Sequence, residues 1–143
     1  VVEQTTPIIL QGMQMSEKTI ADKMFLRTAK SMLILNGGVH PGMVAQMPPA
    51  LIKNDAGADD KVDVVLLFAL NRKELEQYFP TAKERLNDKG SLWVAYLKQT
   101  ASKATDIHRD SINAFAKENG ITGVAIISVD GDWSALRMKR IEV

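Results

Sequence analysis

The chain has 143 residues, 45% of them hydrophobic and 24% charged, with 18 Lys and Arg against 17 Asp and Glu and no cysteine. That length suits one well-packed domain and is short for two, and a charge balance near zero supplies no field to steer the molecule toward nucleic acid or an anionic membrane. Without cysteine there is no disulfide framework, thiol nucleophile or thiolate metal site, a composition that fits a cytoplasmic location. No apolar run approaches the roughly 18 to 20 residues that a bilayer requires, and Val1-Val2-Glu3-Gln4 has no basic stretch followed by an apolar core, so no signal peptide is expected.

Residues 1–15 mix Thr, Gln and apolar residues around Pro7 without a period and are expected to lie as an arm on a single domain spanning 16–143. Ser16 can cap a helix through about Arg27, with Ile20, Met24 and Phe25 on one apolar stripe. Met32-Leu33-Ile34-Leu35 is a short continuous apolar run stopped by Asn36-Gly37-Gly38, the pattern of a strand buried on both faces. Next come Pro41, Pro48, Pro49, a candidate short strand at Ala50 to Lys53 and a polar loop from Asn54 to Lys61. A complete nucleotide-binding half needs several strand and helix units here, at about 30 or more residues each, and the chain lacks the space.

Val62 to Leu70 is apolar except for Asp63 and reads as the centre of a parallel sheet. Asn71 and Glu74 have capping-box spacing, so a helix starts at Arg72 with Leu75, Tyr78, Phe79, Ala82 and Leu86 on one face. Pro80 predicts a kink or restart within it. Asn87-Asp88-Lys89-Gly90 should end that helix before the strand Ser91 to Leu97, and a second helix runs from about Asp106 to Asn119, stopped by Gly120. Gly123 to Val129 and Trp133 to Ile141 are β-rich runs joined by Asp130-Gly131-Asp132, which predicts an antiparallel hairpin.

Gly90-Ser91-Leu92-Trp93-Val94-Ala95-Tyr96, Lys98, Thr105-Asp106 and Trp133-Ser134-Ala135-Leu136-Arg137 resemble a bacterial family of small proteins known as a domain of unknown function. The resemblance covers roughly residues 26–141. It implies a shortened class I methyltransferase-type domain: α/β, with a Rossmann-like, mostly parallel sheet, flanking helices and a C-terminal antiparallel hairpin. The family writes an aromatic residue, Pro, Lys and Lys where this chain has Tyr96-Leu97-Lys98-Gln99, so no role for a second lysine carries over. Membership implies no activity.

Ligands of open α/β sheets bind outside the carboxyl ends of the strands, and this topology sends Asn36 to Gly42, Asn71 and Arg72, Lys98 to Asp106, and Asp130 to Ser134 to that edge. Lys98, Thr100, Ser102, Lys103 and Thr105 precede a helix whose first amides can hold a small anion. Thr105 or Asp106 capping that helix, with the lysines solvated, explains the same residues, and Asp106 would compete with a phosphate. His40 and His108 are the two imidazoles available for proton transfer, and neither has a catalytic partner pattern. Trp133 can cover the sheet end or floor a pocket. Asp130 and Asp132 suit turn chemistry, Ser134 lacks a nucleophile's context, and no metal-ligand spacing occurs. Asn36, Gly37, Gly38 and His40 complete the candidate ligand site, although the turn does not spell a dinucleotide fingerprint and Asp55, the nearest acid for a ribose, sits in a turn-forming loop.

These residues together predict a non-catalytic binding or regulatory module with no catalytic residues, metal or cofactor. The alternatives are a small S-adenosylmethionine-dependent methyltransferase-like or anion-binding enzyme using Lys98 to Asp106 with Asn36 to His40, and a homo-oligomeric structural protein whose edge strand a second copy covers.

Overall fold

A computed structural model describes residues 19–53, 60–99 and 106–141; the expected arm, the Ser16 cap, Asp55 and four candidate residues, Thr100, Ser102, Lys103 and Thr105, lie outside them. Its elements in chain order are α1 (Ile20–Lys23), β1 (Met32–Leu35), α2 (Pro41–Val44), β2 (Val62–Ala69), α3 (Arg72–Arg85), β3 (Leu86–Leu97), α4 (Arg109–Glu118), β4 (Ile121–Ser128) and β5 (Trp133–Arg140). They build one five-stranded sheet in the order β1-β2-β3-β5-β4. β1, β2 and β3 run parallel, whereas β5 is antiparallel to both of its neighbours. The Asp130-Gly131-Asp132 hairpin forms as expected, and its second strand inserts beside β3, leaving β4 at the edge. β2 has parallel partners on both sides, though β3 is the middle strand.

β1, β2 and the end of β3 are buried on both faces, which explains their unbroken apolar runs, whereas the edge strand β4 is largely exposed. On one face Val65, Leu67 and Val94 pack under α3 and α4 with Leu75, Phe79, Ile112 and Ala116. On the other, Leu66, Phe68, Trp93 and Ala95 meet Ile20, Met24, Met43 and Met47. At about 25 cal/mol per Å² of apolar surface, such side chains each contribute about 1.5–3 kcal/mol.

Several local expectations are corrected. The first helix is one turn, capped by Thr19, followed by a 3₁₀ turn at Leu26–Thr28; Phe25 between them adopts a left-handed conformation (φ 59°) and is 56% exposed, so it leaves the apolar stripe. Ala50 to Lys53 is not a strand: Pro49–Leu51 is a 3₁₀ turn, and only Ile52 pairs, in a single parallel bridge to Met32. The crossover leaving β1 therefore ends in one residue of pairing before the chain returns to β2.

α3 continues through Pro80, whose neighbours Glu76 and Gln77 lie on the exposed side where a freed carbonyl can meet water. Leu86 caps this helix in extended conformation and is already the first residue of β3. Asn87 to Gly90 are absorbed as an irregularity, since the pairing jumps from Val62↔Leu86 to Val64↔Ser91. A Cβ on Gly90 would meet the Asp63 carbonyl at 2.7 Å, so the close approach requires glycine. The second helix begins three residues later than expected, at Arg109, because His108 rather than Thr105 or Asp106 caps it. Among the described residues no helix is long and apolar enough to cross a membrane.

Candidate functional site

The carboxyl ends of β1, β2, β3 and β4 lie at one edge, and the structure brings Asn36, Gly37, Gly38, His40, Lys98 and Trp133 to it. The side chains of Asn36, His40 and Lys98 each have a partner from another segment of the chain. Asn36 takes a left-handed conformation (φ 61°), which Asn tolerates well, and its amide donates to the Phe68 carbonyl and to Glu74 Oε1, both at 2.9 Å. Glu74 also accepts from the Leu70 amide at 2.8 Å, while Asn71 Oδ1 accepts from the Glu74 amide. The predicted cap is thus present, but the glutamate ties β2 to the β1 turn instead of closing a reciprocal box.

His40 caps α2: the Met43 amide donates to its Nδ1 at 3.1 Å. Its ring proton therefore sits on Nε2, which donates to Asp130 Oδ2 at 2.9 Å. The ring packs 5.2 Å from Trp133 and 6.1 Å from Phe68, and those two aromatics meet edge to face at 5.9 Å. Trp133 covers the end of the sheet, with 7% of its surface exposed.

Asp130 Oδ1 accepts from the amides of Asp132 and Trp133, both at 2.8 Å. Desolvation pushes this carboxyl upward, but the bonds from Asp132, His40 and Trp133 outweigh it and hold Asp130 below the usual carboxylate value. Lys98 Nζ donates to Ser128 Oγ at 2.8 Å and to the Asp130 carbonyl at 2.6 Å, and its amide donates to the Asp132 carbonyl. The lysine staples the hairpin turn to the end of β3. Asp106 also reaches this edge, but serves α3: its Oδ1 accepts the Arg72 amide at 2.8 Å, just past the end of β2. His108 Nδ1 accepts from the Asp110 amide at 3.2 Å, replacing the usual Ser or Asp at the start of α4.

Two openings flank this network. Tyr96, Lys98, Gln99, His108, Arg109, Asp110, Ile126 and Ser134 line a cleft of about 310 Å³ beside α4. Burial raises the Tyr96 hydroxyl above its ordinary pKa, opposed by Arg109 and by a hydrogen bond with Ser134. On the outer side of β1, Ile34, Gly37, Gly38, Pro41, Val44, Ala45 and Ile52 line an apolar cleft of about 480 Å³. A Cβ on Gly37 would touch the protein's own Ile34 and Val44 side chains at 3.0 Å, whereas nothing lies within 4 Å of one on Gly38. Among the described residues no three His, Cys, Asp or Glu gather as a metal group.

Asp130, Ser128, Glu74, Tyr96 and Arg109 complete the edge but were not singled out as site residues by sequence reasoning. Tyr96 lay in the family-like run and Glu74 in the cap; the links of Asp130 to His40 and of Ser128 to Lys98 span 90 and 30 residues and leave no local signal.

Parallel strands with helices on both faces and a final antiparallel strand inserted beside the middle one define a class I methyltransferase-type α/β fold. The chain is similar to ribosomal protein L11 methylase from Lactobacillus delbrueckii subsp. bulgaricus, with TM-score 0.54 and 13% identity over 85% of this chain and 74% of that one. An O-methyltransferase family protein from Burkholderia thailandensis aligns at TM-score 0.57 and 15% identity, over 85% of this chain and 56% of its own. The glycopeptide N-methyltransferase MtfA, solved with S-adenosyl-L-methionine, aligns at TM-score 0.52 and 9% identity, over 84% and 92%. At these identities the likeness is one of fold. No curated protein matches the chain. Residues 43–142 match the family described as "Protein of unknown function (DUF3052)", and the chain belongs to that family.

Proposed function

We propose that this protein is a non-catalytic binding module, a methyltransferase-type sheet whose carboxyl edge has been turned from a reaction site into a bonded surface. The observation that carries this reading is the commitment of Asn36, His40, Lys98 and Asp130 to cross-loop partners. A general base or an anion-binding lysine must offer a free group to a substrate, and here that would require breaking contacts that hold the loops together. The Asn36 amide spans the ends of β1 and β2, so an adenosyl group entering that crevice would have to displace its bonds to Phe68 and Glu74. The cleft beside α4 offers the Tyr96 and Ser134 hydroxyls and the exposed Arg109 guanidinium, which an anionic ligand would draw from its surface pair with Asp110.

Thermal-shift measurements with S-adenosylmethionine, nucleotides and sugar phosphates test the reading, because a ligand selective for the folded state raises its stability. Stabilisation by a phosphorylated compound that Arg109→Gln removes, with no methylated product, is the expected result. The apolar cleft beside Gly38 favours a second reading, an adenosyl-binding methyltransferase-like enzyme. Stabilisation by S-adenosylmethionine that Gly38→Val abolishes would establish it in place of the first.

A further inference from the structure

The opposite end of the sheet carries a cleft with an excess of basic side chains. Side chains alternate along β5, so Trp133, Ala135, Arg137 and Lys139 share the face that packs toward α1 and α2. The first two are apolar and buried, as an interior strand requires. The last two are cations on that same interior strand, and among the described residues neither forms an ion pair with a carboxylate. Lys139 donates to the Lys89 carbonyl at 3.0 Å, and Arg137 Nε donates to Ser91 Oγ at 3.2 Å.

One acid lines the cleft: Asp63 accepts the Lys30 amide on one oxygen and the Asn87 amide group on the other, and its single charge leaves Lys89, Arg137 and Lys139 in excess. Desolvation, and then repulsion from Arg137, push the Lys139 ammonium below its ordinary pKa. Two like charges held together on a sheet face destabilise each other unless an anion joins them.

These residues line a cleft of about 400 Å³, within the usual range for small-molecule pockets. The Thr28, Asn87 and Ser91 side chains add polar groups at its wall. Phe25 forms the rim. Its ring lies 5.0 Å from the Arg137 guanidinium, more than half of its surface is exposed, and its backbone is left-handed, which is uncommon for an aromatic residue. An exposed ring over an unpaired cationic pair offers stacking at one end and charge at the other.

We propose that this cleft binds a nucleoside monophosphate, with its phosphate on Arg137 and Lys139 and its base against Phe25. The site is separate from the carboxyl edge and does not depend on the function proposed there. Calorimetric titration of the full chain with AMP, ribose 5-phosphate and adenosine tests it. AMP should bind with a Kd below about 1 mM and adenosine at least about 10-fold more weakly, as loss of a charge-assisted hydrogen bond predicts.

Arg137→Gln and Lys139→Gln should each weaken AMP and ribose 5-phosphate by about 10-fold or more, and Phe25→Ala should bring AMP down to the affinity of the sugar phosphate. Arg109→Gln, at the other end, should leave the Arg137-dependent AMP binding unchanged, whatever phosphorylated compound the carboxyl edge takes. Failure of AMP to bind, or wild-type affinity in folded Arg137→Gln and Lys139→Gln proteins, overturns the site. Equal affinities for AMP and ribose 5-phosphate in the wild type overturn the nucleotide assignment. AMP binding lost in Arg109→Gln alone moves the ligand to the carboxyl edge, refuting this proposal while leaving the other intact.

Discussion

Lys98 holds the β4–β5 turn through two bonds from one ammonium, to Ser128 Oγ and the Asp130 carbonyl. Lys98→Met keeps the length and removes both donors, and should cost about 1–2 kcal/mol in urea denaturation. It should also accelerate amide exchange at Asp132 and Trp133, while unchanged stability and exchange would mean that the staple carries no load. Asp130 gives a pH dependence of definite sign. Its folded pKa is lowered, so its stabilising contribution is present above the ordinary carboxylate range and is lost as pH falls through the folded value. Wild type should therefore lose more stability between about pH 5 and pH 3 than Asp130→Asn does, as followed by urea melts at each pH. The sequence placed Lys98, His40 and Trp133 at this edge from strand ends alone. It could not show that they were already partnered, because their partners lie in segments far along the chain.

Among the elements, α3 contains the clearest local conflict, a proline at the ninth of its 14 positions. Pro80→Ala restores a helical N–H on an exposed surface and should raise stability by about 1–2 kcal/mol, checked by thermal and urea unfolding. A loss of stability would mean that Pro80 limits the unfolded chain more than it strains the helix. Gly90→Ala should act in the opposite direction, costing about 1–3 kcal/mol, since the added methyl meets backbone that cannot move freely. Continuous apolar runs made β1, β2 and the end of β3 legible, and Asp-Gly made the hairpin legible. Asn87 to Gly90 were misleading because turn-forming residues serve equally in a bulge. The start of α4 was misplaced because histidine is a less common cap than the Thr and Asp just before it.

At the scale of the molecule, the sheet keeps the antiparallel insertion of β5, and the connection after β1 is compressed: its described part, residues 36–53, holds α2, two 3₁₀ turns and the one-residue Ile52 bridge. The shortage of residues between Leu35 and Val62 made that compression readable. The basic cleft was not readable, since Arg137 and Lys139 meet Phe25 only after more than 100 residues of chain have folded between them. On the proposed reading, the bonds of Asn36, His40, Lys98 and Asp130 stand where an adenosyl site would. Calorimetric titration of the full chain with S-adenosylmethionine tests it most directly. No saturable binding tighter than about 1 mM is expected, and saturable binding with a Kd below that value would overturn the reading.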